Sequence, residues 1–396
     1  MTHLREARLG VTAIFFVFGA VGATWASRIP LIKEQLGLDN AELSIALLTA
    51  PVGLIVVVQL VSALVHRWTS ALVTRWAAVA TCATLVLLSV AWDLASLAVA
   101  LLLFGMACGA LDTAMNGQAV AIERGYGRPI MAGIHAMFSI GLLVGGAIGA
   151  LAAHAELDPL VHFAVAGALL AILGFAAGLG LLGAEADAIA EPDDSAPPTR
   201  LSKHPFLVAV GVIAMCAFLA EGAVDNWSAV YLHESLGASF GLAPLGAAAC
   251  GAAMGAARLG GDAVIERFGR RSTLWWTALL AGAGMVLAVL APVPGVAIAG
   301  FAVFGLGVAA IVPIAFTLGG NVAGVPTIWA ISRITTLAYV GLLSGPPAIG
   351  FVAQATSLEV ALCIPVALMA LVAALSRVAP HDARGRASRV AAQEAR

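Results

Sequence analysis

Charge is what this sequence has least of. Asp, Glu, Lys and Arg make up 11% of its 396 residues, against about 25% in a soluble globular protein. Cysteine is sparse as well. Cys82, Cys108, Cys216, Cys250 and Cys363 all sit in apolar runs, none at metal-ligand spacing and with no disulfide framework indicated. The phosphate loop Gly-x-x-x-x-Gly-Lys-[Ser/Thr] is missing, which argues against ATP-driven pumping, and no metal or other cofactor cluster appears. A net charge of −2 gives no footprint for a nucleic-acid partner. The first apolar run, Leu9 to Ser27, has no short core followed by a cleavage site, so it reads as a span rather than a signal peptide. Nothing here supports an enzyme.

What is abundant is apolar residues, 61% of the chain, with a mean hydropathy of +1.00. A bilayer crossing needs roughly 20 such residues in a row. The sequence supplies twelve runs, at about 9–27, 43–64, 72–91, 97–118, 130–153, 159–183, 206–231, 242–264, 273–292, 295–318, 327–354 and 358–377. Within lipid every backbone N–H and C=O needs an internal partner, which leaves helices or closed barrels. These runs are too long and too weakly alternating for barrel strands. The expected fold is an all-α polytopic membrane protein with twelve transmembrane helices.

Arginine and lysine set the orientation. With the N terminus inside, 16 of the 20 fall in inner segments, only Arg28 and Lys33 fall outside, and Arg258 and Arg333 lie within spans. Both termini are therefore expected in the cytoplasm, in a bacterial-type inner membrane. The chain also repeats at an offset of 200. Leu36-Gly37 returns as Leu236-Gly237, Arg67-Trp68 as Arg267-Phe268, Phe104-Gly105 as Phe304-Gly305, and Gly141-Leu142-Leu143 with Gly145 as Gly341-Leu342-Leu343 with Gly345. Two pseudo-symmetric six-helix halves follow, at 1–183 and 205–377. A polar, Pro-bearing linker over 184–204 joins them, and a tail covers 378–396. Parallel halves of this kind place a binding site between them near mid-membrane.

Against that background the intramembrane polar residues stand out. Asp112 lies in an otherwise apolar run, where even mild insertion scales charge ~2.5–3.5 kcal/mol for an Asp. Asn116 shares its helix face at i+4. Asp112 is six residues from the inner end of its span and His135 about five from the inner end of the next. At 1.5 Å per residue both lie ~8–9 Å deep. An Asp–His pair there could take and release a proton; the alternative for His135 is a satisfied structural histidine. Glu221 and Asp225 form a second i, i+4 pair in the outer half of span seven, able to share a proton or bind a cation. Asn226 and Trp227 follow, and Trp25 occupies the matching place in the first half. These aromatics either line a cavity or belong to an interface belt. Gln59 is a candidate lining hydrogen-bonder. Arg333, alone in span eleven, either binds an anionic substrate group or a carboxylate such as Asp112 or Asp262, or snorkels to the inner interface. At offset 200 Asp112 maps to Val312 and Glu221 to Val21. The carboxylates are thus unevenly distributed over the repeat, as a substrate pathway requires.

Spans eight and nine are joined by Gly255 to Arg271, with Arg258, Asp262, Arg267, Gly269, Arg270 and Arg271 at its polar positions. This segment resembles the signature loop of the major facilitator superfamily. The first-half copy departs from it, with Ser62 in place of the Asp and Thr69 in place of the Gly. The resemblance implies a gate latch. Arg258 and Asp262 pair one turn apart, and Asp262 meets the helix that opens at Pro129-Ile130 across the half-interface. Two shorter stretches, Asp112 to Asn116 and His135 to Gly141, resemble the fucose-permease-like branch. That likeness implies a proton-coupled secondary transporter, working as a monomer, that takes up a small polar, sugar-like molecule by alternating access. The alternative is a proton-antiporting exporter of an amphipathic drug or natural product. It draws on Gly141-x-x-x-Gly145-Gly146-x-x-Gly149 and Gly345-Pro346-Pro347-x-x-Gly350, which small-residue helix packing also explains.

Overall fold

The computed structural model describes residues 2–38, 40–184, 201, 204–238, 242–243 and 245–380. The expected linker and tail lie outside the described residues, but for 184, 201, 204 and 378–380. The described chain is helical. The first half runs α1 (Thr2–Ala26), α2 (Ile29–Gln35), α3 (Asn40–Trp68), α4 (Ser70–Ser89), α5 (Leu94–Tyr126), α6 (Met131–His154) and α7 (Pro159–Leu179). The second runs α8 (Pro205–Glu234), α9 (Leu245–Phe268), α10 (Arg270–Val289), α11 (Pro294–Val308), α12 (Ile311–Gly320), α13 (Thr327–Ala355), α14 (Leu358–Ala361) and α15 (Cys363–Leu375). Among the described residues, 11 helical stretches are long and apolar enough to cross a membrane, α11 with α12 counting as one of them. The twelfth expected span, α9, has the length but carries Arg258, Asp262, Glu266 and Arg267. Large apolar side chains are exposed along the helices, Leu143, Leu169, Ile172 and Phe351 among them. Only a lipid surround makes that arrangement favourable.

Two spans are broken, and proline accounts for the first break. Pro313 has no N–H and its ring crowds the carbonyl four residues back, that of Ala309. The helix turns at Ala309–Ala310 and resumes as α12. The freed Ala309 carbonyl accepts a bond from Arg258 Nε at 3.4 Å. The last span divides similarly into α14 and α15, with Pro365 in the first turn of α15. The short helix α2, opened by Pro30, was not expected from the hydrophobic runs.

The repeat is visible in the packing. A Cβ on Gly105 would strike the Ala50 carbonyl; one on Gly305 would strike that of Cys250, the residue 200 positions on. Gly141 packs on Phe16 and Gly341 on Met215. Gly37 and Gly237 both turn with positive φ, 62° and 68°. The guanidinium of Arg67 lies over Trp68 at 5.6 Å, and that of Arg267 over Phe268 at 5.5 Å. Thr69 and Gly269 share φ values of 82° and 80° at the N-caps of α4 and α10.

The chain divides into two compact units. The first holds residues 1–207 and also 319–340, and the second holds 208–318 and 341–396. The end of α12 and the opening half of α13 thus pack with the first-half helices. Within the first unit α1 lies along α6, and α3 along α5. Its apolar core gathers Val17, Val21, Leu85, Leu97, Leu101 and Phe163.

Candidate functional site

Asp112 sits deeper than its apolar run suggested. The helix does not stop at Gln118 but continues to Tyr126. Gln118 is polar yet satisfied: its Nε2 donates to Ser70 Oγ at 2.7 Å and to the Leu182 carbonyl at 2.9 Å, and its Oε1 accepts from Leu182 N at 3.1 Å. Asp112 is therefore 18 residues from Leu94 (112 − 94) and 14 from Tyr126 (126 − 112). That places it ~27 and ~21 Å from the two helix ends, near the middle. It is 8% exposed, and Asn116 is 1% exposed. Asn116 Nδ2 donates to the Asp112 carboxylate at 3.1 Å and to its backbone carbonyl at 2.8 Å. Asn116 Oδ1 and Thr113 Oγ1 are buried without a hydrogen-bond partner. No cationic side chain among the described residues pairs with Asp112.

The expected Asp112–His135 pair is not made. His135 is only four residues from the start of α6, ~6 Å deep, about 15 Å shallower than Asp112. Its Nδ1 donates to the Met131 carbonyl at 3.0 Å, and its ring lies 4.8 Å from that of Phe15 on α1. The early end assigned to the fourth span produced the false match in depth.

In the second unit Glu221 is 16 residues from Pro205 (221 − 205) and 13 from Glu234 (234 − 221), just past the middle of α8 toward its outer end, and Asp225 lies one turn further along. Glu221 is half-buried and Asp225 exposed one turn on. Arg258 is buried on α9 and close enough to Glu221 for their charges to interact. This arginine thus reaches α8 and the end of α11. Asn226 Nδ2 donates to the Gly222 carbonyl at 2.7 Å. Trp227 packs on Ala223 and Ile349, over Gly350, with its Nε1 buried and unpartnered. Its counterpart Trp25 is 7% exposed and belongs to the apolar core with Phe163, ring centroids 6.4 Å apart. Trp25 is thus a core residue rather than a cavity lining.

Arg333 bonds within its own unit, and not to Asp112. Its guanidinium donates to Gln59 Oε1 and lies 5.2 Å over the Trp329 ring. Gln59 Nε2 donates to Thr336 Oγ1 at 2.8 Å. The helix start beyond Pro129-Ile130 is capped within its own unit by Glu123. That carboxylate accepts from Ile130 N at 2.9 Å and Met131 N at 3.0 Å. Next to it Arg124 caps the other half-repeat's chain. It donates to the Gly320 carbonyl, to Asn321 Oδ1 at 2.5 Å and to Thr327 Oγ1 at 2.8 Å. A guanidinium at the C terminus of α12 also meets the negative end of the helix dipole. Arg270 and Arg271 open α10 behind Gly269, and Asp262 is half-buried on α9.

A family model described as Major Facilitator Superfamily matches residues 10–328. The chain belongs to the major facilitator superfamily. An uncharacterized transporter of this superfamily from Yersinia pestis is 37% identical over 364 residues, covering 92% of this chain and 93% of that one. The membrane protein MosC of Rhizobium meliloti is 30% identical over 376 residues, covering 93% and 90%. Among solved structures, FucP in its outward conformation aligns with a TM-score of 0.78 at 15% identity, over 94% of this chain and 99% of that one. The human organic anion transporter MFSD10 aligns with a TM-score of 0.67 at 16% identity, over 94% and 98%. At such identities the structures show the fold alone. This superfamily member is a multi-pass membrane transporter.

Glu123, Arg124 and Thr336 are polar residues of this transporter that the sequence reading passed over. A signal existed for Glu123, an acid one turn before the helix-ending Gly127 and eight residues before Met131, where the next helix starts. Gly127 takes the left-handed φ of 63° that such an ending requires. Arg124 gave none, because its partners lie about 200 residues away.

Proposed function

We propose that this transporter couples uptake of a small polar, sugar-like molecule to protons, and that Asp112 carries the proton. One observation supports this above the rest. Among the described residues Asp112 is a buried mid-helix carboxylate whose one side-chain donor is Asn116, with no cation to neutralise it. Glu221, the other deep carboxylate, has Arg258 within charge reach. An uncompensated carboxylate away from water is costly, and a proton removes the charge. Taking that proton up from one side of the membrane and releasing it to the other is the elementary step of coupling. Asn116, with its unpartnered Oδ1, is a ready hydrogen-bond acceptor for a substrate hydroxyl beside the proton site. The arginine-rich ends of both units face the cytoplasm in this reading. A solved fucose:proton symporter, FucP of E. coli, has the same fold, with a TM-score of 0.75 at 14% identity.

The test uses purified protein in liposomes, a panel of labelled sugars and polyols, and an imposed pH gradient. Asp112→Asn should abolish uphill accumulation while leaving exchange of internal for external substrate. Accumulation by the variant at the wild-type level would remove Asp112 from the coupling step.

A further inference from the structure

The first unit contains a cavity of about 300 Å³ lined by Leu201, Trp329, Arg333, Thr336 and Leu337. That volume is at the lower end of the range for small-molecule sites. Arg333 is its charged wall. No carboxylate of the described residues neutralises it; its contacts are the Gln59 side-chain carbonyl and the Trp329 face. A guanidinium offers five N–H donors in a planar fork, and one partner oxygen leaves most of them available. The fork is also held in place. Thr336 Oγ1 donates to the Ser332 carbonyl at 2.8 Å and accepts from Gln59 Nε2 at 2.8 Å. Its hydroxyl therefore orients Gln59, and Gln59 orients Arg333. Trp329 supplies an aromatic wall, edge-on to His204 with ring centroids 6.1 Å apart, and Leu201 and Leu337 add apolar surface.

We infer that this cavity binds an organic oxyanion, a carboxylate or phosphate that carries an apolar group. The oxyanion meets the Arg333 fork, and the apolar group lies against Trp329 and the leucines. The site stands apart from the proposed proton site. Arg333 is six residues from the start of α13 (333 − 327), ~9 Å from that end, whereas Asp112 lies ~21 Å from the nearer end of α5. The same chemistry arrives in two forms, an anionic lipid headgroup or a dissolved organic acid.

Thermal unfolding of the full chain in detergent separates the sources. The probes are benzoate, its neutral analogue benzamide, inorganic phosphate, and phosphatidylglycerol against phosphatidylcholine. A free acid is indicated by a rise in Tm with benzoate and none with benzamide. A lipid is indicated by a rise with phosphatidylglycerol alone. Either response should be lost in Arg333→Gln. Arg333→Lys keeps the charge, and with it the fold, yet should weaken binding roughly tenfold because a point charge replaces the fork. Thr336→Val should weaken it severalfold through Gln59. Asp112→Asn should bind as wild type, which keeps this result independent of the coupling test. The inference is overturned if no anion shifts Tm, or if the shift is unchanged in Arg333→Lys and Arg333→Gln.

Discussion

Thr69 holds a backbone angle that β-branched residues rarely adopt, φ 82°, at the place where the second half has Gly269 at 80°. Such a residue stores about 1–3 kcal/mol of strain, while glycine would add about 0.5–1 kcal/mol of chain entropy to be lost on folding. Thr69→Gly should therefore stabilise the protein by roughly 1 kcal/mol, seen as a higher Tm in detergent. A lower Tm would mean that the Thr69 hydroxyl bond to Leu72 N, 3.4 Å long, outweighs the strain. The substitution was legible in the sequence as a departure from the loop's pattern. What could not be read there is that the turn keeps its geometry anyway, because the helices on either side fix it. Gln118 teaches the converse. Its polarity looked like a span end, yet Ser70 and Leu182 satisfy the amide and the helix runs on to Tyr126. Asp112 stood out by its residue type and surroundings. Its partner was misjudged because the depth of one residue depends on where its whole helix ends.

At the scale of elements, close approach of α3 to α5, and of α9 to α11, depends on Gly105 and Gly305. A Cβ at either place meets backbone, of Ala50 or Cys250, which cannot move as a side-chain tip can. Gly105→Ala and Gly305→Ala should each cost about 1–3 kcal/mol, measured as a fall in Tm; an unchanged Tm in both would show that these helices slide apart freely. The start of α5 supplies a pH test. Asp93 accepts from Ser96 N at 2.7 Å, and its own N–H donates to Ser96 Oγ at 3.0 Å. The Ser96 N–H, and after it the Ser96 side chain, donate to the carboxylate, favour its charged form and hold the Asp93 carboxyl below its ordinary value of 3.8. Because the folded value is the lower one, the contribution is complete above the ordinary value and fades as pH falls through it toward the folded one. Asp93→Ala should thus lower Tm at pH 7, and the gap to wild type should close as pH drops below 3.8. A gap independent of pH would make the cap irrelevant. Helix number and approximate limits were visible in the hydrophobic runs, since length and apolarity are local properties. The break at Ala309, the short α2 and the capping by Arg124 were not. They arise from a proline acting four residues back, from a helix too short for a span, and from contacts between distant segments.

At the scale of the molecule, the offset of 200 residues proved to be a structural repeat, carried by glycine contacts and matching turns as well as by letters. Repetition supplies the frame, and the proposed function rests on a departure from it. Val312 stands where Asp112 would recur, and Val21 where Glu221 would. The frame is also not divided where the chain is: residues 319–340 pack with the first-half helices, which no hydropathy pattern records. In the proposed function Asp112, which no cation among the described residues pairs, moves a proton with the substrate. The most direct measurement of that step is the pH of a lightly buffered suspension of energy-depleted cells or liposomes when substrate is added. Wild-type protein should make the medium more alkaline as protons enter with the substrate, and Asp112→Asn should give no change while still exchanging substrate. Equal alkalinisation by both proteins would contradict the account.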